Sequence, residues 1–118
     1  MNPVESEDFP KRNRIRNANL FKNLINTGRR SRLKYANIIT AGNNLGYPRL
    51  GISIAKKAVP RAVDRNRLKR IYREIFRKNK KLLGTRDLLI ICSQNINAKS
   101  DPYMAADIRH YFTELNEY

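Results

Sequence analysis

Hydrophobic positions recur along this chain with two different periods, and the period distinguishes helices from strands. In residues 65–77, apolar side chains return every three or four positions. At about 100° per residue, five of them fall on one arc of a helix: Leu68, Ile71, Tyr72, Ile75 and Phe76. Similar stripes predict a helix over residues 18–27, ended by Gly28, and a last helix capped by Ser100 or Asp101.

Strands are indicated by shorter apolar segments between turn-forming residues. Residues 49–55 alternate between apolar and small or polar positions, and residues 29–40 are expected to be extended. Residues 87–92 are apolar without alternation, which favours a central strand. Gly, Asn and Pro predict a loop over residues 41–48. Helices interspersed with strands predict an α+β fold, a two-layer sandwich of helices on a small sheet.

The opposite arc of the long helix is cationic. It carries Asn66, Lys69, Arg70, Arg73 and Arg77, with Arg65 at its edge. Because the apolar arc must pack on the protein, the cationic arc is left to face a partner. Each arginine offers a planar fork of donors that suits phosphate groups.

The composition of the whole chain supports a polyanionic partner. Its 118 residues carry 25 Lys and Arg against 10 Asp and Glu, a formal charge of +15. Such self-repulsion opposes compaction, so a partner with many negative charges is the natural explanation. A hydrophobic fraction of 41% still provides for a core. We expect one RNA-binding domain over residues 12–118, after a flexible tail of residues 1–11.

Other classes of protein receive little support. Cys92 has no second cysteine to pair with, and His110 lies on a scaffold-like helix. Asp64 and Glu74 would lie roughly 15 Å apart along a helix axis, which argues against a self-sufficient metal-dependent nuclease. No apolar run approaches the roughly 20 residues of a membrane span. The N-terminal residues do not resemble a signal peptide. We therefore expect a cytoplasmic protein.

Residues 51–70 closely resemble the protein subunit of bacterial ribonuclease P. The family combines a Gly-containing strand that ends in Lys-Lys with the pattern Arg-Asn-Arg-x-Lys-Arg-x-x-Arg-Glu-x-Phe-Arg, which this chain matches from Arg65 through Arg77. The resemblance extends over most of the chain. It implies the element order αβββαβα, a small mixed sheet and a left-handed β-helix-β crossover.

The resemblance also implies a function. In this family a catalytic RNA cleaves the 5′ leader from precursor tRNA with Mg²⁺ held mainly by RNA, and the protein binds both RNAs without a cofactor of its own. The carried-over RNA-binding residues are Lys56, Lys57, Arg61, Arg65, Asn66, Arg67, Lys69, Arg70, Arg73 and Arg77. The leader cleft, between the first helix and the sheet, corresponds to Phe21, Ile25 and Ile38. For Ile25 and Ile38, ordinary core positions are the alternative.

Two further interpretations follow from the sequence. Arg12-Asn13-Arg14 repeats the tripeptide of the motif without continuing it, so we interpret it as a flexible basic arm in which Arg14 and Arg16 are candidates for phosphate contacts. A generic basic RNA-binding protein, such as a ribosomal component, is the alternative function. It accounts for the charge but not for the ordered motif.

Overall fold

A computed structural model describes residues 9–94 and 96–115 of the chain. Its helices are α1 (Ala18–Thr27), α2 (Ala62–Lys78), the short α3 (Lys80–Leu83) and α4 (Asp101–Leu115). Its strands are β1 (Arg29–Arg32), β2 (Asn37–Gly42), β3 (Arg49–Ile54) and β4 (Arg86–Cys92). Single 3-10 turns lie at Lys11–Asn13 and Ala98–Ser100. The predicted α+β class and the order αβββαβα are confirmed, with α3 as an addition.

The strands form one mixed sheet in the order β1-β2-β4-β3. Strand β4 pairs antiparallel with β2 and parallel with β3, so it is central, as its unbroken apolar sequence predicted. Helix α2 makes the crossover between the parallel neighbours β3 and β4. The left-handed sense of that crossover stays a prediction.

Two hydrophobic clusters lie on opposite faces of the sheet. The larger one packs α2 and α4 on side chains such as Ile38 and Ile90, which are cross-strand neighbours. The smaller one packs α1 on Ile39 and Leu89, which are the next cross-strand pair. Because side chains alternate along a strand, adjacent residues of β2 belong to different clusters.

The expected extended segment 29–40 is in fact a hairpin. Strand β1 turns back on β2 through residues 33–36, where the Leu33 amide donates to the Ala36 carbonyl at 2.9 Å. The sequence does not predict this turn because Leu33-Lys34-Tyr35-Ala36 contains none of the usual turn residues.

Gly28 ends α1 as predicted, for a different reason than expected. Its φ of −75° is open to any residue. A Cβ atom at this position would collide with the side chain of Ile39 and lie 2.7 Å from the Leu24 carbonyl oxygen. Glycine is therefore needed because the end of α1 lies directly on β2.

The last three residues of the predicted tail are placed against the domain, whereas residues 1–8 lie outside the described residues. The Phe9 ring packs edge-on against Phe76, with 5.4 Å between the ring centroids.

Cys92 is buried, and no helix in the described part of the chain has the length and apolarity to cross a membrane.

We expect Leu68→Ala to lower the free energy of unfolding by about 2–5 kcal/mol. Leu68 is fully buried on the core side of α2, so its truncation leaves a cavity. Val63, on the same helix, is 61% exposed. Val63→Ala should therefore change stability by less than about 0.5 kcal/mol. Urea denaturation of the two variants measures both values, and equal losses would mean that the buried face of α2 is misassigned.

Candidate nucleic-acid interface

Helix α2 presents a cationic face along one side of the molecule. Its apolar arc is in the core, with Leu68, Tyr72 and Phe76 fully buried. On the other side, five residues line an open groove together with Phe9 and Glu74: Asn66, Lys69, Arg70, Arg73 and Arg77. We call these five residues the cationic face. The helical arc predicted from the sequence is thus confirmed as a surface.

One carboxylate lies within this face. Glu74 pairs with Arg77 three residues later and with Lys78 Nζ at 3.5 Å. The hydrogen bond from Arg77 holds the pKa of Glu74 below its usual value. The ionised Glu74 therefore orients the Arg77 guanidinium, and an incoming phosphate has to compete with it there.

Two arginines from different segments flank the same aromatic ring. The guanidinium carbon of Arg14 lies 5.0 Å from the Phe9 ring centroid and that of Arg73 lies 5.7 Å from it. Burial and the nearby charge of Arg14 lower the pKa of Arg73, although an arginine remains charged at neutral pH. An anion placed between the two guanidinium groups would relieve their repulsion.

A second groove crosses strand β3 between α1 and α2. Its apolar floor and its basic rim comprise Phe9, Arg14, Ile15, Arg16, Phe21, Leu50, Ile52, Lys69 and Arg73. We call these residues the strand groove. Lys69 and Arg73 line both this groove and the cationic face, so the two surfaces are continuous.

Gly51 lets an aromatic ring lie on the strand. A Cβ atom at this position would be 3.0 Å from Phe21 Cζ and 3.3 Å from Ile15 Cβ. Phe21 is half-buried, so one part of its ring packs on the protein while the rest lines the strand groove. The glycine of the strand, noted in the sequence only as part of a motif, thus sets the depth of this groove.

The other two leader-cleft candidates, Ile25 and Ile38, lie in different environments. Ile25 is 48% exposed on α1, one turn beyond Phe21, so it is not a core residue. Ile38 is fully buried in the larger cluster, on the sheet face opposite α1, so its assignment to the cleft is wrong. Its neighbour Ile39 faces α1 and is also fully buried. A step of one residue in a strand reverses the face, and the pattern Ile38-Ile39 gave no means of choosing.

Residues 12–16 do not form a flexible arm. Asn13 is 1% exposed, and its side-chain amide donates to the Pro48 carbonyl at 2.7 Å. The Ile15 amide donates to the Leu50 carbonyl at 2.9 Å, which fixes the segment along β3. Arg14 and Arg16 therefore lie on the rim of the strand groove. Alternation of basic residues around the apolar Ile15 was the signal available in the sequence.

Arg67 faces the protein rather than the cationic face. Its guanidinium donates to Asp64 Oδ1 at 2.7 Å, to Asp101 Oδ2 at 3.0 Å and to the Ile96 carbonyl at 2.7 Å. Asp64 lies in the first turn of α2 and Asp101 begins α4. Arg67 therefore ties the starts of two helices together, and the RNA contact that the motif implied for it stays a prediction.

The remaining basic candidates surround the start of α2. Arg65 donates to the carbonyl groups of residues 59–60 at 3.0 and 2.8 Å, which fixes its guanidinium beside the preceding loop. Lys56 and Lys57 are exposed in the turn after β3. Arg61 is also exposed, 3.7 Å from an Asp64 carboxylate oxygen.

Groups suited to catalysis are dispersed. Within residues 9–94 and 96–115, no cluster of three His, Cys, Asp or Glu side chains is placed to hold a metal ion. His110 is exposed and pairs with Glu114 at 2.9 Å on the outside of α4. The site is thus an extended basic surface with one aromatic groove.

The chain is similar to ribonuclease P proteins in sequence and structure. A family model described as Ribonuclease P matches residues 9–116. The ribonuclease P protein component of Nitrosococcus oceani is 44% identical over 77 residues, 65% of each chain, which is just under two thirds of that protein. The Pseudomonas putida component is 37% identical over 112 residues, 93% of this chain and 80% of that one. The solved Staphylococcus aureus RNase P protein has a TM-score of 0.76 at 27% identity, covering 87% of this chain and 94% of that one.

We expect Arg67→Ala to lower the free energy of unfolding by about 1.5–3 kcal/mol, because it removes the charged hydrogen bonds to Asp64 and Asp101 and the bond to the Ile96 carbonyl. Arg70→Ala removes an equal charge from the exposed side of the same helix and should be neutral within about 0.5 kcal/mol. Thermal and urea unfolding compare the pair. A stable Arg67→Ala protein would contradict the structural role of this residue.

Proposed function

The chain belongs to the ribonuclease P protein family, and we propose that it binds the catalytic RNA of that enzyme and the 5′ leader of precursor tRNA. In this way it would support maturation of the 5′ end of tRNA in the cytoplasm. The observation that carries the proposal is the continuity of the cationic face with the strand groove through Lys69 and Arg73. One surface can then hold a structured RNA while the adjoining groove holds a single strand.

The catalytic RNA is assigned to the cationic face of α2. A helix buried on one side holds its basic side chains at fixed spacing, which suits a folded RNA with phosphates at fixed positions. Lys56, Lys57 and Arg61 extend this positive surface past the start of the helix. Each phosphate that these residues neutralise releases counterions, so affinity should fall steeply with salt.

The leader is assigned to the strand groove. Phe21 supplies an aromatic surface for a base, and the apolar floor of Leu50 and Ile52 extends it. Arg14 and Arg16 on the rim can follow the phosphates of the same strand. Stacking platforms bordered by positive charge are typical of sites that bind single-stranded nucleic acid with little sequence preference. Ile25, one turn along α1, offers further contact area in place of a second ring.

The chemistry of cleavage is assigned to the RNA. The described carboxylates near the interface, Asp64 and Glu74, are engaged by basic side chains. In this proposal the RNA would hold the Mg²⁺ ions and supply the chemistry of cleavage, and the protein would contribute binding and orientation. The protein alone is then inactive as a nuclease.

A generic RNA-binding protein, the alternative function that the charge suggests, is disfavoured by membership of this family. It would need the positive charge of the cationic face, but a groove joining Phe21 to that face has no evident role in it. The two candidates differ in whether the protein discriminates precursor from mature tRNA.

We expect the recombinant protein, free of RNA, to leave precursor tRNA intact. Added to a bacterial ribonuclease P RNA at low Mg²⁺, it should restore cleavage at the mature 5′ end, because it supplies cations where the ions are scarce. An Arg70→Ala, Arg73→Ala double variant should restore less cleavage. Gel analysis of the 5′ product provides the measurement. Specific cleavage by RNA-free protein, or no rescue by the unmodified protein, would contradict the proposal.

We expect Phe21→Leu to weaken binding of precursor tRNA to the holoenzyme by about 1–3 kcal/mol, the range for one base stacked on an aromatic ring. Leucine keeps an apolar contact with Gly51 but removes the ring. Mature tRNA lacks the leader, so its affinity should change little. Affinities for both RNAs, together with a melting curve, separate the lost stacking from misfolding.

The matched control is Leu45→Ala, since Leu45 is also exposed, at 43%, but lies on the β2–β3 loop away from the strand groove. It should leave the ratio of precursor to mature affinity unchanged. An unchanged ratio of precursor to mature tRNA affinity in a stably folded Phe21→Leu protein would contradict the assignment of the leader to the strand groove.

A further inference from the structure

A separate basic pocket lies beyond the C-terminal end of α2. It is formed by the 3-10 turn near residue 12, the β2–β3 loop and the connection from α2 to β4. Its lining residues are Arg12, Asn13, Gly46, Tyr47, Pro48, Lys80, Lys81 and Gly84, and we call them the end pocket. None of these lines the cationic face or the strand groove. Arg65 lies 13 residues before Lys78, the last residue of α2, which is about 20 Å along the helix axis.

One buried amide holds the pocket together. The Asn13 side chain donates to the Pro48 carbonyl at 2.7 Å and accepts from Lys80 Nζ at 3.3 Å. Asn13 is 1% exposed, so its bond to Pro48 is shielded from water, while the bond from Lys80 is partly buried. The three segments of the pocket are therefore fixed relative to one another before any partner binds, which reduces the entropy lost on binding.

Among the described residues, every charged side chain that lines the end pocket is basic. Arg12, Lys80 and Lys81 are its charged lining residues. The nearby carboxylate of Asp87 is already held by Arg49, at 2.7 Å between Nη2 and Oδ2. Three cations around one concave site form a clamp for an anion.

The ring of Tyr47 positions one of these cations. The Arg12 guanidinium carbon lies 5.3 Å from the Tyr47 ring centroid, so the ring supports the charge at the rim. Because that ring is engaged by Arg12, the pocket offers charge rather than a stacking platform. This arrangement suits a backbone phosphate better than an unstacked base.

Two glycines leave the walls of the pocket open. Gly46 has φ of 83° and Gly84 has φ of 61°, a region that favours glycine. In the described part of the chain, no atom beyond the two neighbouring residues lies within 4 Å of a Cβ built at either position. A phosphate-sized group can therefore approach the backbone of both turns.

We propose that the end pocket binds a backbone phosphate of the catalytic RNA, in a segment different from the one held by the cationic face. The inference rests on the proposed function, since it assigns the same RNA to a second surface. The catalytic RNA is favoured over the leader because the leader requires the aromatic floor of the strand groove. The end pocket also lies past the end of the very helix that faces the catalytic RNA.

The test compares Lys81→Ala with Lys99→Ala. Both lysines are exposed and both changes remove one charge, but Lys99 lies on the 3-10 turn before α4, outside the end pocket. Affinity of the full-length protein for a bacterial ribonuclease P RNA is measured from 50 to 200 mM salt. We expect Lys81→Ala to weaken binding several-fold and to lower the log–log salt slope by up to about one unit, as one lost phosphate contact requires. Lys99→Ala should change neither.

Footprinting identifies the RNA segment. The backbone positions that lose protection in Lys81→Ala should differ from those lost in Arg70→Ala. A loss seen only with precursor tRNA would overturn the assignment to the catalytic RNA, and loss of the same positions in both variants would overturn the second segment. If Lys81→Ala and Lys99→Ala had the same RNA affinity and salt slope while Arg70→Ala bound more weakly, only the assignment of the end pocket would be contradicted. If the unmodified protein did not bind the ribonuclease P RNA, the proposed function would be contradicted as well.

Discussion

Burial of one side of α2 determines where the basic groups of this protein point. Leu68, Tyr72 and Phe76 are fixed in the core between the sheet and α4, so the helix cannot rotate about its axis. Arg70 and Arg73 are held outward by the same contacts. The orientation of the interface is therefore a consequence of core packing, and the basic side chains themselves are not needed to set it.

The acidic residues of the domain limit the cost of its positive charge. With a formal charge of +15, compaction brings like charges together. Asp64 and Asp101 hold Arg67 between two helices, and Asp87 holds Arg49 at the edge of the sheet. The Asp87 contact raises the pKa of Arg49, in keeping with a charge stabilised by its partner. Basic residues with such partners support the fold, while those on the cationic face are directed outward.

Periodicity predicted the elements well because it is local, and it failed where the answer depends on distant residues. The buried arc of α2 and the central position of β4 followed from spacing alone. The choice between Ile38 and Ile39 required the register of β2, which two adjacent isoleucines cannot reveal. The role of Arg67 required Asp101, which is 34 residues away. The placement of Asn13 required Pro48, which is 35 residues away.

The position of Lys69 and Arg73 bears on how the two proposed RNA partners would bind. Both side chains line the cationic face and the strand groove, so a folded RNA on α2 and a strand over β3 would meet at these two residues. Phosphates of both would share the same cations, and binding of the first would change the charge that the second encounters. The repulsion between Arg14 and Arg73 around Phe9 would be relieved by whichever phosphate arrived first. In the proposed complex, the leader would lie directly beside the catalytic RNA, where the two surfaces share Lys69 and Arg73.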